Sequence, residues 1–239
     1  MKKIFILIFI LHIILNCYSQ SSEDLFKTGN AKAQNQDFQG AISDFNKAIE
    51  IEPKYDEAYK SRGFAKYELG DYLGAVEDFT KIIEMDRNYI FLMDASYFRG
   101  LAKFELKDYD GAISDYSKAI GIVPTYKGAH YSRGLAKYEL KDYNGAILDF
   151  SSELKNTLND LDSYYHRALT KSKLKDGLGA MEDYSKVIDL NPKYTAAYYN
   201  RGVVKLILGL NETGCLDLNK AAELGSDKAK EEIKKHCKK

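Results

Sequence analysis

The sequence predicts an all-α protein laid out as a row of antiparallel helix hairpins, and three observations predict it. First, one string recurs. Arg133 to Lys155, RGLAKYELKDYNGAILDFSSELK, returns as RGFAKYELGDYLGAVEDFTKIIE from Arg62, RGLAKFELKDYDGAISDYSKAIG from Arg99, RALTKSKLKDGLGAMEDYSKVID from Arg167 and, more loosely, RGVVKLILGLNETGCLDLNKAAE from Arg201. A first copy, TGNAKAQNQDFQGAISDFNKAIE, starts at Thr28. Second, Arg99, Arg133, Arg167 and Arg201 are equally spaced, at the ~34-residue period of stacked helix-turn-helix units. Third, each copy carries apolar residues at helical spacing in two halves, broken by a turn-prone stretch such as Asp142-Tyr143-Asn144-Gly145, which reads as a helix hairpin.

The six copies run approximately Ser22–Tyr55, Asp56–Tyr89, Met93–Tyr126, Lys127–Asp160, Leu161–Tyr194 and Thr195–Lys228. A column of small residues holds Gly29, Gly63, Gly100, Gly134, Ala168 and Gly202, and a second holds Ala41, Ala75, Ala112, Ala146, Ala180 and Gly214. Small side chains let paired helices approach closely. A bulky column, Phe45, Phe79, Tyr116, Phe150, Tyr184 and Leu218, fills the space between hairpins, and Pro53, Pro124 and Pro192 follow helices that proline cannot continue. In these columns the chain resembles the tetratricopeptide repeat family over nearly its whole length. The resemblance implies a right-handed superhelical solenoid over residues 20–225, with a capping helix over 226–239.

A length of 239 residues, 45% hydrophobic and 29% charged, fits a soluble chain whose stacked repeats share one continuous core. The formal net charge of zero, without a lysine-arginine run, gives no general attraction to nucleic acid or anionic lipid. The start reads differently. Lys2-Lys3 precede an apolar run from Ile4 to Leu15 and then Cys17-Tyr18-Ser19-Gln20, the layout of a signal peptide, with residues 1–19 removed before Gln20. The rivals are lipidation at Cys17, where Asn16 departs from the usual small residue, and an uncleaved anchor. Export leaves Cys215 and Cys237 where disulfides form. If the helix from Asp227 to His236 packs antiparallel to the one carrying Cys215, the two thiols meet; otherwise Cys215 is core and Cys237 an idle thiol.

Two charged columns run through every copy: Lys32, Lys66, Lys103, Lys137, Lys171 and Lys205, and Asp44, Asp78, Asp115, Asp149, Asp183 and Asp217. In an antiparallel hairpin they face each other. Arginine fills a third column from Arg62 to Arg201, but the first copy has Thr28 there. We therefore expect lysine to pair within its own hairpin and arginine to reach back to the preceding one, as exposed pairs that fix register. Glu153 stands in a column otherwise filled by Ala48, Ile82, Ala119, Val187 and Ala221; a lone buried carboxylate is costly, so a pair with Arg167 is expected, or else a rotation into solvent.

The candidate binding surface lies on the first helix of each hairpin, which the resemblance places on the concave side. One column there holds Tyr97, Tyr131, Tyr165 and Tyr199, with Phe26 and Lys60 in the first two copies. One turn on come Phe64, Leu101, Leu135, Leu169 and Val203, then Tyr67, Phe104 and Tyr138, each followed by a carboxylate: Glu68, Glu105 and Glu139. This predicts an aromatic-lined groove with an acidic edge, where tyrosine supplies both area and a hydroxyl. Packing between hairpins competes for the same side chains. The carboxylate clamp of some family members is not carried, because Asn30 and Asn200 stand at opposite ends of the array. Finally, Ile90-Phe91-Leu92 lengthens the step between the second and third copies, either extending helices or, if exposed, marking a contact site.

No nucleophile with a base, phosphate-binding glycine loop or metal-ligand spacing appears. The expected protein is a non-enzymatic scaffold, exported to the periplasm, envelope or medium, without a cofactor. It binds a basic peptide or protein segment, neither nucleic acid nor a small-molecule substrate, and touches membrane only through a lipid on Cys17. The alternative is a structural component assembling through its ends or the Ile90–Leu92 patch.

Overall fold

The computed structural model describes residues 21–85 and 89–237, so the leader, the cut before Gln20 and Cys17 lie outside the described residues. The described residues form helices only: α1 (Ser22–Gln34), α2 (Phe38–Ile51), α3 (Asp56–Glu68), α4 (Tyr72–Met85), α5 (Tyr89–Glu105), α6 (Tyr109–Ile122), α7 (Ala129–Glu139), α8 (Tyr143–Asn156), α9 (Leu161–Lys173), α10 (Gly177–Leu190), α11 (Thr195–Ile207), α12 (Asn211–Glu223) and α13 (Asp227–His236). They group into two compact units that meet in sequence between Ala95 and Ser96, inside α5. The Ile90-Phe91-Leu92 insertion extends α5 to 17 residues.

The hairpin turn is shorter and earlier than the sequence suggests. Asp142 is the N-cap of α8 and accepts a hydrogen bond from the Gly145 backbone N–H, so Tyr143, Asn144 and Gly145 are already helical. Asp37, Asp108 and Asp176 do the same for Gly40, Gly111 and Gly179. The capping carboxylate explains the glycine: a Cβ on Gly145 would lie 2.1 Å from Asp142 Oδ2. The reversal itself is made one residue earlier by a left-handed residue, Gln36, Gly70, Lys107, Lys141, Lys175 or Gly209 in successive copies.

Each bulky residue of the repeat closes its own hairpin. Phe45, Tyr116 and Phe150 press rings against Gly29, Gly100 and Gly134 so closely that a Cβ there would fall within 2.8 Å of ring carbon. Phe45 and Tyr116 also reach the following hairpin at Ala65 and Ala136, so packing passes from copy to copy within a unit.

The charged ladder is buried, not exposed, and its wiring corrects the expectation. Each arginine binds the aspartate of its own hairpin through two nitrogens: Arg133 Nε and Nη2 donate to Asp149 Oδ2 and Oδ1 at 2.9 and 2.6 Å, and Arg62, Arg99, Arg167 and Arg201 repeat this on Asp78, Asp115, Asp183 and Asp217. Lysine adds a second cation to the same carboxylate, with Lys137 Nζ 2.8 Å from Asp149. The reach backward survives through the remaining nitrogen: Nη1 of Arg62, Arg133, Arg167 and Arg201 donates to Asn46, Ser117, Ser151 and Ser185 of the preceding hairpin. The planar guanidinium has enough donors for both tasks. In the first copy the Thr28 hydroxyl takes the arginine's place on Asp44, at 3.0 Å.

Burial raises the carboxyls of Asp115 and Asp149, but the hydrogen bonds and charges of their arginine and lysine neighbours outweigh it and hold both below the ordinary carboxylate range.

The expected Glu153–Arg167 pair does not form, since Arg167 is engaged by Asp183 and Ser151. Glu153 is only 3% exposed, and it turns instead to the start of its own hairpin's first helix. Its carboxylate accepts from the Gly128 and Tyr131 backbone N–H groups at 3.0 and 3.4 Å, and from the Thr157 hydroxyl at 3.2 Å. Helix α7 has Gly128 as its N-cap, with no side-chain cap and no acid in its first turn. Glu153 supplies both from the antiparallel partner helix.

Candidate functional site

In the first unit, Tyr67 packs edge-on against Tyr72 across the hairpin turn, with ring centroids 5.2 Å apart, beside an exposed Glu68. Lys60, which interrupts the tyrosine column, forms an ion pair with Asp94. Phe91 lies under the Lys60 ammonium, 6.0 Å from nitrogen to ring centroid, while Tyr89 and Ile90 are 78% and 63% exposed.

In the second unit, Tyr97, Tyr131 and Tyr165 are half-buried and share one arrangement. Each hydroxyl meets a polar side chain on the first helix of the next hairpin: Tyr97 with Ser132 at 3.4 Å, Tyr131 with His166 Nδ1 at 3.1 Å, and Tyr165 accepting from Asn200 Nδ2 at 3.2 Å. Tyr97 and Tyr165 also lean on Tyr126 and Tyr194, and Tyr131 on His166. Burial pushes all three phenols above the ordinary tyrosine range, with nearby carboxylates adding to the rise at Tyr97 and Tyr131. The hydroxyls therefore stay protonated and tie the first helices of neighbouring hairpins together. The sequence pattern assigned the tyrosines a surface role and missed these partners, each 35 residues further on.

Tyr199 does not continue the row. It joins the cluster of Leu218, Ala221 and Ala229 beneath α13, with Leu206 and Ile233. Leu101, Leu169 and Val203 are half-buried against their local cores, and Leu135 is half-buried as well. Phe104 and Tyr138 pack edge-on against Tyr109 and Tyr143 at their turns. Glu105 and Glu139 are exposed beside them.

An apolar concavity lies further along the second unit than the sequence suggests. A cleft of about 570 Å³ opens between α9 and α11, with Leu169, Val203, Val204, Ile207 and Leu208 as its apolar wall and Lys173 and Lys175 among its polar lining. At the end of the chain the structure joins Cys215 and Cys237 in a disulfide, with Cα atoms 5.7 Å apart, which pins the end of α13 to α12.

These repeated hairpins, closed by small-on-aromatic contacts and wired copy to copy, define a helical-repeat protein. The TPR repeat family model matches residues 29–70 and 100–141, and the tetratricopeptide repeat model matches residues 161–194. The chain is a tetratricopeptide repeat protein. Among solved structures it is similar to the C-terminal part of a TPR repeat-containing protein from Cytophaga hutchinsonii, at 19% identity and TM-score 0.75, covering 83% of this chain and 78% of that one. It is similar to MamA, at 25% identity and TM-score 0.64 over 70% of this chain and 96% of that one. It also resembles YrrB, described as a TPR protein with an unusual peptide-binding site, at 17% identity and TM-score 0.66 over 78% and 94% of the two chains. No curated protein matches it in sequence.

Proposed function

We propose that the protein is a non-enzymatic interaction scaffold whose inner helices receive a basic segment of another protein. The observation that carries this is the register of Glu105 and Glu139, two exposed carboxylates at equivalent positions of successive copies, on the same helices as Tyr97 and Tyr131 of the row of aromatic rings held by hydroxyl hydrogen bonds. Glu68 repeats the arrangement in the first unit. Such a row offers apolar area with an electrostatic preference, and the fold is shared with YrrB, which has a peptide-binding site. The test is binding of a lysine- and leucine-containing peptide by fluorescence anisotropy. Replacing Glu105 and Glu139 together with lysine should weaken it at least about tenfold without unfolding the array, because both side chains are exposed. An unchanged affinity refutes this reading.

The leader-like start at Lys2-Lys3 and the Cys215–Cys237 bond support export to an oxidising compartment, with removal before Gln20 favoured over lipidation at Cys17. A second reading, self-assembly, draws on the exposed Tyr89 and Ile90. It predicts a concentration-dependent mass by light scattering that Ile90→Lys abolishes.

A further inference from the structure

The column that carries Glu105 and Glu139 does not stay acidic. One copy on it holds Lys173, and the next holds Ile207. Lys173 and Lys175 are both exposed, and among the described residues neither has an ion-pair partner. Ile207 is 78% exposed, although Val203, Val204 and Leu206 of the same helix pack into the local cores. These residues meet at the cleft between α9 and α11. Beyond Ile207 a second cleft of about 460 Å³ is bordered by α13, where Lys235 and His236 flank a Glu232 that is already bonded to Lys235. The C-terminal end of this unit therefore presents an open apolar slot with a basic border, the reverse of the charge at Glu105 and Glu139.

We propose that this cleft is a second subsite, specific for an acidic segment that inserts an aliphatic or aromatic side chain against Leu169, Val203 and Ile207 and sets a carboxylate beside Lys173 and Lys175. The inference deepens the groove reading and rests on it. The ligand it defines is bipolar, basic towards Glu105 and Glu139 and acidic-apolar towards α11. A volume of about 570 Å³ accommodates a few side chains rather than a folded domain. Opposite charges at the two ends select one orientation and reject the reversed one, since like charges brought together oppose binding.

The experiment uses the full chain and three fluorescein-labelled peptides of equal length that share the same leucines and differ in having aspartate, lysine or serine between them. The aspartate peptide is expected to bind. Ile207→Asp should weaken it at least about tenfold. Lys173→Glu with Lys175→Glu should weaken it similarly and raise affinity for the lysine peptide. All three changed side chains are exposed, and circular dichroism checks that the helices persist. Aspartate-peptide affinity that is unchanged in either variant overturns the proposal, as does equal binding of the serine peptide. If only the lysine peptide binds, and binding depends on Glu105 and Glu139, the subsite falls while the groove reading stands. If no peptide binds, both fall.

Discussion

At the scale of single residues, the aspartates of the ladder matter most, because each is buried and those from Asp78 to Asp217 carry both a guanidinium and an ammonium. Removing one partner of a buried ion pair strands the others, which typically costs about 3–5 kcal/mol. Asp149→Ala should therefore lower stability by about that much in urea titration, far beyond the ~0.2–1 kcal/mol of an exposed pair. The pH dependence has a definite sign. Asp44, Asp115 and Asp149 titrate lower in the folded chain than ordinary carboxyls, so between those values and about pH 4 the unfolded state binds more protons. Their contribution is complete above about pH 4 and disappears as pH falls through the folded values. Urea midpoints measured from pH 6 downward should drop on that limb, and Asp149→Asn should make the drop shallower. Glu153 gives the contrasting case. Restoring its column with Glu153→Val leaves the Gly128 and Tyr131 N–H groups without their acceptor, so the change should destabilise by about 1–3 kcal/mol despite matching the repeat pattern. A raised midpoint would show that the capping contact contributes nothing. The pieces of this contact were visible in the sequence, an acid in an aliphatic column and a first turn near Gly128 without an acid. What linked them was the antiparallel pairing of α7 and α8, which places the far end of one helix at the start of the other.

At the scale of elements, the sequence showed where hairpins are but not where they turn, because Asp142 and Gly145 look alike as turn residues and only one sits in the turn. The left-handed position just before Asp142 is filled by lysine in three copies and glycine in two. A left-handed conformation costs an L-residue about 1–2 kcal/mol, and glycine's greater freedom in the unfolded chain returns about 0.5–1 kcal/mol of that. Lys141→Gly should thus raise stability by up to about 1 kcal/mol, and Gly70→Lys should lower it by a similar amount. The C-terminal helix is governed by a different constraint. α13 is short and strongly charged, and it buries Ala229 as its inner contact. Closing a loop of this length is worth roughly 3 kcal/mol on a chain-entropy account. With Cys237→Ser, hydrogen exchange in α13 should rise sharply while α9 and α10 keep their protection; equal protection in both proteins would mean that packing alone holds the helix.

At the scale of the whole molecule, the columns are legible in the sequence because within each unit the helices pack mainly on their immediate neighbours. α6 meets α7, α7 meets α8, and α8 meets α9, with a few contacts skipping one helix, as between α7 and α9. Repetition averages over such local contacts, so the small, bulky and charged columns could be assigned from spacing. The binding surface is less legible for the same reason. Tyr97, Tyr131 and Tyr165 serve the array as well as any ligand, and Ile207 and Lys173 stand out only as departures from their column whose exposure the fold reveals. A chain bound by neighbour contacts behaves as a one-dimensional series, in which damage spreads by adjacency and not by distance. Phe150 is fully buried, and Phe150→Ala should cost about 3–5 kcal/mol locally. Measured by hydrogen exchange, the loss should concentrate in α7 and α8, extend more weakly to α6 and α9, and leave α1 and α2 at their original protection. If all helices instead lose protection to the same degree, the array unfolds as one cooperative body, and the neighbour-by-neighbour account of its stability is wrong.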